Sequence, residues 1–97
     1  MHVISEKQLK DFWSLQAKAE EPLRSWIKLI ESHRFNSFAE LRRSFPHADQ
    51  VGKLTVFNIG GNKFRLVAHI HFNTGKVFVR FVGTHTDYDR GDWKTDI

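Results

Sequence analysis

The stretch Phe57-Asn58-Ile59-Gly60-Gly61-Asn62-Lys63-Phe64-Arg65 decides how the second half of the chain folds. Gly60 and Gly61 tolerate positive φ angles, so this pair predicts a tight turn between two strands. The strand before the turn is predicted from Lys53 to Ile59. The strand after it is predicted from Lys63 to Phe72, where apolar and polar residues alternate with the period of a half-buried strand.

A third strand is predicted from Lys76 to Thr84, after the turn formed by Asn73-Thr74-Gly75. Alternation assigns one apolar face to Phe64, Leu66, Ala68, Ile70, Phe72, Val77, Val79 and Phe81. The opposite face is predicted to stay partly open and to carry Lys53, Arg65 and Arg80 among Phe57, Phe78 and Val82. Helices are expected to cover the apolar face.

Those helices are predicted in the first half of the chain, after a short edge strand at His2-Val3-Ile4. Ser5 with Gln8 predicts a capping box and a helix to about Ala19. Pro22 suits the first turn of a second helix that ends near His33. Ser37 with Glu40 predicts another capping box, opening a short helix through Ser44. The fold class is therefore α+β, a helical hairpin packed on a small antiparallel sheet, with residues 1–97 as one domain.

Composition limits the classes of function. Lys and Arg number 15 against 11 Asp and Glu, which gives a net charge of +4 with His neutral and favours a polyanionic partner. The absence of Cys excludes disulfide frameworks, thiolate nucleophiles and zinc sites with Cys ligands. No apolar run approaches the roughly 20 residues of a membrane span, and no signal peptide is recognised, so a cytoplasmic location without membrane contact is expected.

The segment Thr84-His85-Thr86-Asp87-Tyr88-Asp89 gathers groups that could transfer protons at a strand end. His85 is the leading candidate for a general acid or base, because the histidine imidazole titrates near neutrality. Asp87 or Asp89 could tune it, and Asp89 could instead cap the terminal turn. Tyr88 could donate a hydrogen bond, exchange a proton or stack on a base. A bystander histidine and an ordinary half-buried tyrosine remain the alternatives.

Basic residues of the predicted sheet are candidates for binding phosphate. Arg65 and Arg80 lie on adjacent predicted strands and the same face, and arginine grips phosphate with two parallel hydrogen bonds. Lys53 points to that face if the register holds. Lys63 and Lys76 add positive charge to the sheet and are included as RNA-binding candidates. The alternative for all of them is a solvated strand face.

His69-Ile70-His71 places two imidazoles on one strand face. Such a pair could contribute to a metal site, but zinc in proteins usually has three or four ligands. We therefore expect no metal site and no cofactor.

With these residues placed, the chain resembles the HigB-type toxins of type II toxin–antitoxin systems, within the RelE/ParE superfamily. The resemblance covers almost the whole chain and is carried by four pieces, namely Met1-His2-Val3-Ile4-Ser5, Leu41…Phe45-Pro46, Val56-Phe57-Asn58-Ile59-Gly60-Gly61-Asn62…Arg65-Leu66-Val67-Ala68 and Thr84-His85…Tyr88-Asp89. The second pair of pieces, in that order, is the more specific.

The resemblance implies a RelE-like fold and an endoribonuclease that cuts mRNA in the ribosomal A site by metal-free attack of the RNA 2′-hydroxyl. It implies phosphate-binding or catalytic roles for Lys53, Arg65, Arg80, His85 and Tyr88, with Asp89 in support. The implied partners are a HigA-type helix-turn-helix antitoxin, mRNA and the ribosome with its rRNA. Operator DNA would be contacted only indirectly, through the antitoxin.

Two other functions remain open at the level of sequence. One is a ParE-like inhibitor of DNA gyrase, which needs no role for His85. The other is a non-catalytic module that binds RNA or a partner through the basic and aromatic face. Fold alone does not decide among them, because one fold hosts many functions.

Overall fold

The computed structural model describes residues 1–91 and 93–94 of the chain. Its strands are β1 (His2–Ile4), β2 (Asp49–Val51), β3 (Leu54–Ile59), β4 (Phe64–His71) and β5 (Lys76–Thr84). Its helices are α1 (Glu6–Leu15), α2 (Glu20–Glu31), α3 (Phe38–Ser44) and α4 (His85–Asp89), with a 3₁₀ turn at Ala17–Ala19. No helix within these residues is long and apolar enough to span a membrane.

The described strands form one sheet in the order β1-β5-β4-β3-β2. The meander β3–β4–β5 is antiparallel as predicted, and the α+β class is confirmed. The sheet is mixed, however, because β1 runs parallel to β5, with His2 opposite Lys76. Parallel neighbours require a long crossover connection, which the helices and the remaining strands supply here. The short β2, opposite β3, was not predicted from the sequence.

The main core lies between the helices and one face of the sheet. Leu9, Leu23, Trp26, Ile30 and Leu41 contribute from the helices, and Phe57, Ile59, Phe64, Leu66, Ala68, Ile70, Val77 and Val79 contribute from the strands. The predicted apolar face of β4 is therefore confirmed. Burial of this apolar surface is the main force that holds the helices on the sheet.

The helix starts differ from the predictions in detail. Ser5 adopts a left-handed conformation with φ of 77° and caps nothing with its side chain, so that predicted capping box is wrong. The helix also ends at Leu15, because Gln16 leaves the helical conformation. At α3, Ser37 does accept a hydrogen bond from the Glu40 N–H, but the Glu40 carboxylate accepts from the N–H of Asn36.

A β-bulge reverses the predicted faces at the end of β5. Val67 lies opposite Phe81 while Ala68 lies opposite Val79, so Arg80 is an extra residue in β5. Because side chains alternate with a period of two, one extra residue exchanges the faces of all that follow. Phe81 therefore lies on the second face and Val82 packs on the helical core, the reverse of the prediction.

The prediction for Phe57 is also wrong, because this residue is buried in the helical core. The predicted strand began at Lys53, but Gly52 and Lys53 form a turn in which Gly52 has φ of 59°. The second face of β3 is formed instead by Leu54 and Val56.

The second face is not uniformly open. Leu54, Val56, Val67 and Trp93 form a small buried cluster there, with Val51, Phe81 and Tyr88 packed against it. Trp93 comes from the segment after α4 and is only 6% exposed. One part of this face is thus covered by the chain itself, next to the predicted site residues.

Gly83→Ala should destabilise the protein by about 1–3 kcal/mol, because a methyl group there overpacks a filled space. Its Cβ would lie 2.6 Å from Cζ of Phe81 and 3.2 Å from Cβ of Asp87. Urea unfolding measures the effect. The same substitution in a Phe81→Leu background should cost less, since the closest clash is relieved. Equal costs in the two backgrounds would contradict the proposed clash.

Candidate functional site

Helix α4 begins at the end of β5 and is fixed there by a capping box. The Thr84 hydroxyl accepts from the Asp87 N–H at 3.1 Å, and the Asp87 carboxylate accepts from the Thr84 N–H at 3.3 Å. The backbone N–H of His85 donates to the Lys63 carbonyl at 3.2 Å. The helix is therefore tied both to β5 and to the turn before β4.

His85 pairs with Asp89, one helical turn further along α4. The distance from Nδ1 of His85 to Oδ2 of Asp89 is 3.0 Å, and both side chains are about half exposed. Asp87 is occupied by the cap and by Arg90, whose Nη2 donates to Oδ1 at 2.9 Å. Of the two carboxylates considered from the sequence, Asp89 is thus the one that orients His85. This contact leaves Nε2 of His85 as the ring nitrogen for proton exchange with a ligand.

Tyr88 lies on the second face, between an indole and a guanidinium. Its ring stacks on Trp93 with centroids 4.9 Å apart, and Nε1 of Trp93 donates to the Tyr88 carbonyl at 2.9 Å. Cζ of Arg65 lies 5.9 Å from the centre of the same ring. The phenol is therefore held in place by its ring as well as by the backbone of α4.

The phenol of Tyr88 keeps its proton at neutral pH. Burial is the main cause that raises the pKa of Tyr88, Arg65 acts against the rise, and Asp49 and Asp89 add to it. A raised pKa stabilises the neutral phenol, which can donate a hydrogen bond. Tyr88 is thus suited to act as a hydrogen-bond donor at this site.

Arg65 is more buried than an open strand face implies, with 9% exposure. Its Nη1 donates to the Phe64 carbonyl at 3.2 Å, and its Nη2 lies 3.5 Å from Oδ1 of Asn62. Both acceptors are neutral, so these contacts fix the guanidinium without neutralising its charge. A fixed cation of this kind can stabilise an anion close to Tyr88.

The remaining basic candidates lie in different places. Arg80 and Lys53 are exposed, and both act electrostatically on His69, so they gather around that residue. Lys63 is exposed in the turn next to α4. Lys76 lies at the opposite end of β5 from Thr84, about 26 Å away at roughly 3.3 Å per residue. The predicted site residues therefore fall into two groups. The first consists of Arg65, Tyr88, His85 and Asp89, and the second of Lys53 and Arg80. Lys76 is distant from α4.

Two features of the site were not predicted from the sequence: the contact of Asn62 with Arg65 and the effect of Asp49 on the pKa of Tyr88. The position of Trp93 was left open. Asn62 precedes Arg65 by three residues in a tight turn, which is a local signal that could have suggested the contact. The contributions of Asp49 and Trp93 depend on long-range packing.

Within residues 1–91 and 93–94, no group of three or more His, Cys, Asp or Glu could hold a metal ion.

A cavity of about 600 Å³ lies beside this site, between the loop after α3 and the β3–β4 turn. It is lined by Ser44, Phe45, Pro46, His47, Ala48, Phe57, Asn58, Gly61 and Asn62. None of the predicted site residues lines it, although two of its lining residues adjoin Arg65: Asn62 contacts the guanidinium, and Asn58 lies opposite Arg65 in the β3–β4 register. The predicted site residues therefore lie on the sheet face and not in this cavity.

Trp93→Ala should lower the free energy of unfolding by about 3–5 kcal/mol, as large aromatic truncations in buried sites do. It should also release the Tyr88 ring, seen as a shift of the NMR signals of the only Tyr in the chain. Trp93→Phe should preserve most of the ring position. Trp13→Ala, on the helical side, should lower stability while leaving the Tyr88 signals in place. If the NMR signals of Tyr88 are unchanged in Trp93→Ala, Trp93 does not hold the Tyr88 ring in place.

Comparisons with known proteins identify the family of this chain. Residues 19–91 match the family model described as HigB toxin, the RelE-like toxic component of a toxin–antitoxin system. The mRNA interferase toxin HigB of Escherichia coli strain K12 is 35% identical over 92 residues, covering 92% of this chain and 88% of the relative. The mRNA interferase HigB of Escherichia coli O6:H1 is 29% identical over 93 residues, covering 93% and 90%. The chain therefore belongs to the HigB family of RelE-like toxins.

Proposed function

We propose that this protein is an mRNA interferase, the toxin that cuts mRNA in a type II toxin–antitoxin system and so inhibits translation. The observation that carries the proposal is the His85–Asp89 pair, which lies in the same short helix as Tyr88, itself next to Arg65. The similar proteins that carry the name mRNA interferase HigB support it.

The chemistry that fits these groups is attack by the RNA on its own backbone. The 2′-oxygen loses a proton and bonds to phosphorus, and the bond from phosphorus to the 5′-oxygen breaks as that oxygen gains a proton. The products are a 2′,3′-cyclic phosphate and a 5′-hydroxyl. Acid–base steps of this kind each contribute on the order of 10²–10⁴-fold.

Each site residue has a role in that reaction. His85, oriented by Asp89, exchanges a proton with one of the two reacting oxygens. Arg65 stabilises the negative charge that develops on the non-bridging phosphate oxygens, and Tyr88 donates a hydrogen bond to the same region. Arg80 and Lys53 bind neighbouring phosphates, and Lys63 adds positive charge beside α4.

The partners follow from the class of toxin. A component of a toxin–antitoxin system has an antitoxin, and we propose a HigA-type helix-turn-helix protein, through which operator DNA is contacted indirectly. We also propose that cutting takes place in the A site of translating ribosomes, which places the protein in the cytoplasm. A ribosome that presents the mRNA supplies the positioning that a shallow, open face lacks.

His85→Ala should slow mRNA cutting by about 10²–10⁴-fold, because it removes the group that exchanges protons. Induced expression in bacteria, followed by mapping of mRNA 5′ ends with and without a translation block, measures this. His2→Ala removes an exposed imidazole on β1 and serves as the matched control.

Cuts inside reading frames that need translation, and that vanish only in His85→Ala, are the expected result. Growth arrest without new mRNA ends would contradict the proposal in favour of a gyrase-type target. Absence of both arrest and cuts would contradict it in favour of a binding module.

Tyr88→Phe should reduce cutting by about 10–100-fold, since a hydrogen bond to a charged group is worth roughly 1.5–3 kcal/mol. The ring and its stack on Trp93 are retained, so stability should change little. Because the pKa of Tyr88 is raised, the wild-type protein should lose no activity through this group at any pH below about 10. Rates of cutting on programmed ribosomes from pH 6 to 9 test this, and a Tyr88→Phe variant with the wild-type rate would exclude the donor role.

A further inference from the structure

The outer edge of β3 is covered by β2 along only half of its length. Residues 49–51 of β2 pair with residues 54–56 of β3. The strand β3 continues to Ile59, but the chain before β2 makes a turn at residues 46–47 and does not pair with it. Within the described part of the chain, residues 57–59 are therefore a free strand edge on this side.

The backbone of Asn58 is the polar group of this free edge. The two-residue turn at 52–53 closes on a hydrogen-bonded pair, and the groups that bond to β2 recur at every second residue. The backbone N–H and C=O of Leu54, Val56 and then Asn58 therefore point to the β2 side. Among the described residues, no hydrogen bond joins the backbone of Asn58 to the segment 45–48.

The cavity of about 600 Å³ lies against the same edge. Phe57 and Asn58 line it from β3, and His47 and Ala48 line it from the segment before β2. The rings of Phe45 and Phe57 meet edge-on in its wall, with centroids 5.1 Å apart. An unpaired strand edge and an apolar hollow thus lie side by side.

A smaller cavity of about 180 Å³ extends the hollow towards α2. It shares Phe45 and Asn58 with the larger cavity, and Trp26 also lines it. Trp26 is 4% exposed, and its Nε1 has no hydrogen-bond partner among the described residues. A buried N–H without an acceptor costs free energy, which a ligand that carries carbonyl groups can recover. We call the two cavities together the edge groove.

The chemistry of the edge groove favours a polypeptide over RNA. The described residues that line it include no lysine or arginine, the side chains that neutralise phosphate. A free strand edge binds an extended peptide through main-chain hydrogen bonds, and an adjacent pocket takes one of its side chains. Arg43 and Lys63 are exposed and adjoin lining residues in the sequence, so they favour acidic residues in such a peptide.

We propose that the antitoxin lays an extended, acidic segment along the free edge of β3, where its backbone pairs with Asn58 and an apolar side chain packs against Phe45 and Phe57. This inference deepens the antitoxin partnership of the proposed function and does not depend on the cutting of mRNA. Asn58 lies opposite Arg65 in the register, and Asn62 contacts the guanidinium. A peptide in the edge groove therefore lies beside Arg65 and obstructs the approach of RNA to it.

The test is amide hydrogen exchange of the ¹⁵N-labelled toxin, measured by NMR alone and in complex with the antitoxin encoded by the adjacent gene. The amide of Asn58 should exchange rapidly in the free toxin and at least about 100-fold more slowly in the complex. The amide of Val56, which β2 already covers, should be protected in both samples. Exchange of the Asn58 amide that the antitoxin does not slow would overturn the proposal.

Two substitutions at one position separate the backbone from the side chain. Asn58→Pro removes the N–H at a strand edge, where proline is tolerated, and should weaken antitoxin binding at least about tenfold. Asn58→Ala removes the same amide side chain but keeps the N–H, and should bind the antitoxin close to the wild-type affinity. Equal affinities of the two variants would overturn the proposal. If Asn58→Pro does not fold, hydrogen exchange of the wild-type toxin decides by itself.

RNA is the competing occupant and is tested in the same way. A short 2′-O-methylated RNA lacks the attacking hydroxyl and should leave the Asn58 amide unprotected; protection by this RNA and not by the antitoxin would overturn the proposal. Cutting of mRNA is measured separately. A toxin that cuts mRNA without antitoxin protection of Asn58 rejects the edge groove alone, and one that shows the protection without cutting rejects only the nuclease.

Discussion

The pairing of β4 with β5, with its bulge at Arg80, is the constraint on which the rest of the site depends. Before the bulge, Val77 and Val79 pack on the helices; after it, Phe81 and Gly83 lie on the second face. The strand therefore delivers α4 to the side of the sheet where Arg65 lies. Without the extra residue, the alternation would direct Phe81 into the helical core and shift the start of α4 relative to Arg65.

On the second face, the contacts that hold Arg65 do not neutralise its positive charge. Arg65 donates to neutral oxygens; burial is the main cause that lowers the pKa of His69, and His71, Arg80 and Lys53 add to it. Meanwhile the carboxylates of α4 are occupied, since Asp87 caps the helix and binds Arg90 while Asp89 binds His85. Such an arrangement costs stability in the free protein, and a polyanion on the same face relieves that cost. The unneutralised charge of Arg65 therefore favours a ligand, and not the fold, as the reason for this arginine.

The sequence predicted what depends on local pattern. The alternation from Phe64 to Ile70 gave the correct core face of β4, and Ser37 was correctly identified as a helix cap. The spacing of His85 and Asp89 is also local, because residues four apart on a helix are neighbours.

Long-range geometry was out of reach of the sequence. A bulge depends on how two strands pair, so the residues around Arg80 do not by themselves predict it. The short polar strand β2 forms only because β3 pairs with it, and the left-handed conformation of Ser5 defeats a helix cap that its residue type favours. The predicted sheet faces of Phe57, Phe81 and Val82 were wrong because they also depend on how the strands pair.

The stack of Trp93 on Tyr88 makes the protein its own optical reporter. Indole fluorescence responds to the polarity and charge next to the ring, and Trp93 is the tryptophan on the second face, whereas Trp13 and Trp26 pack on the helical side. Replacing those two with phenylalanine would leave Trp93 as the one tryptophan, in contact with Tyr88, whose ring lies next to Arg65. Occupancy of the face could then be followed in real time without attaching any label.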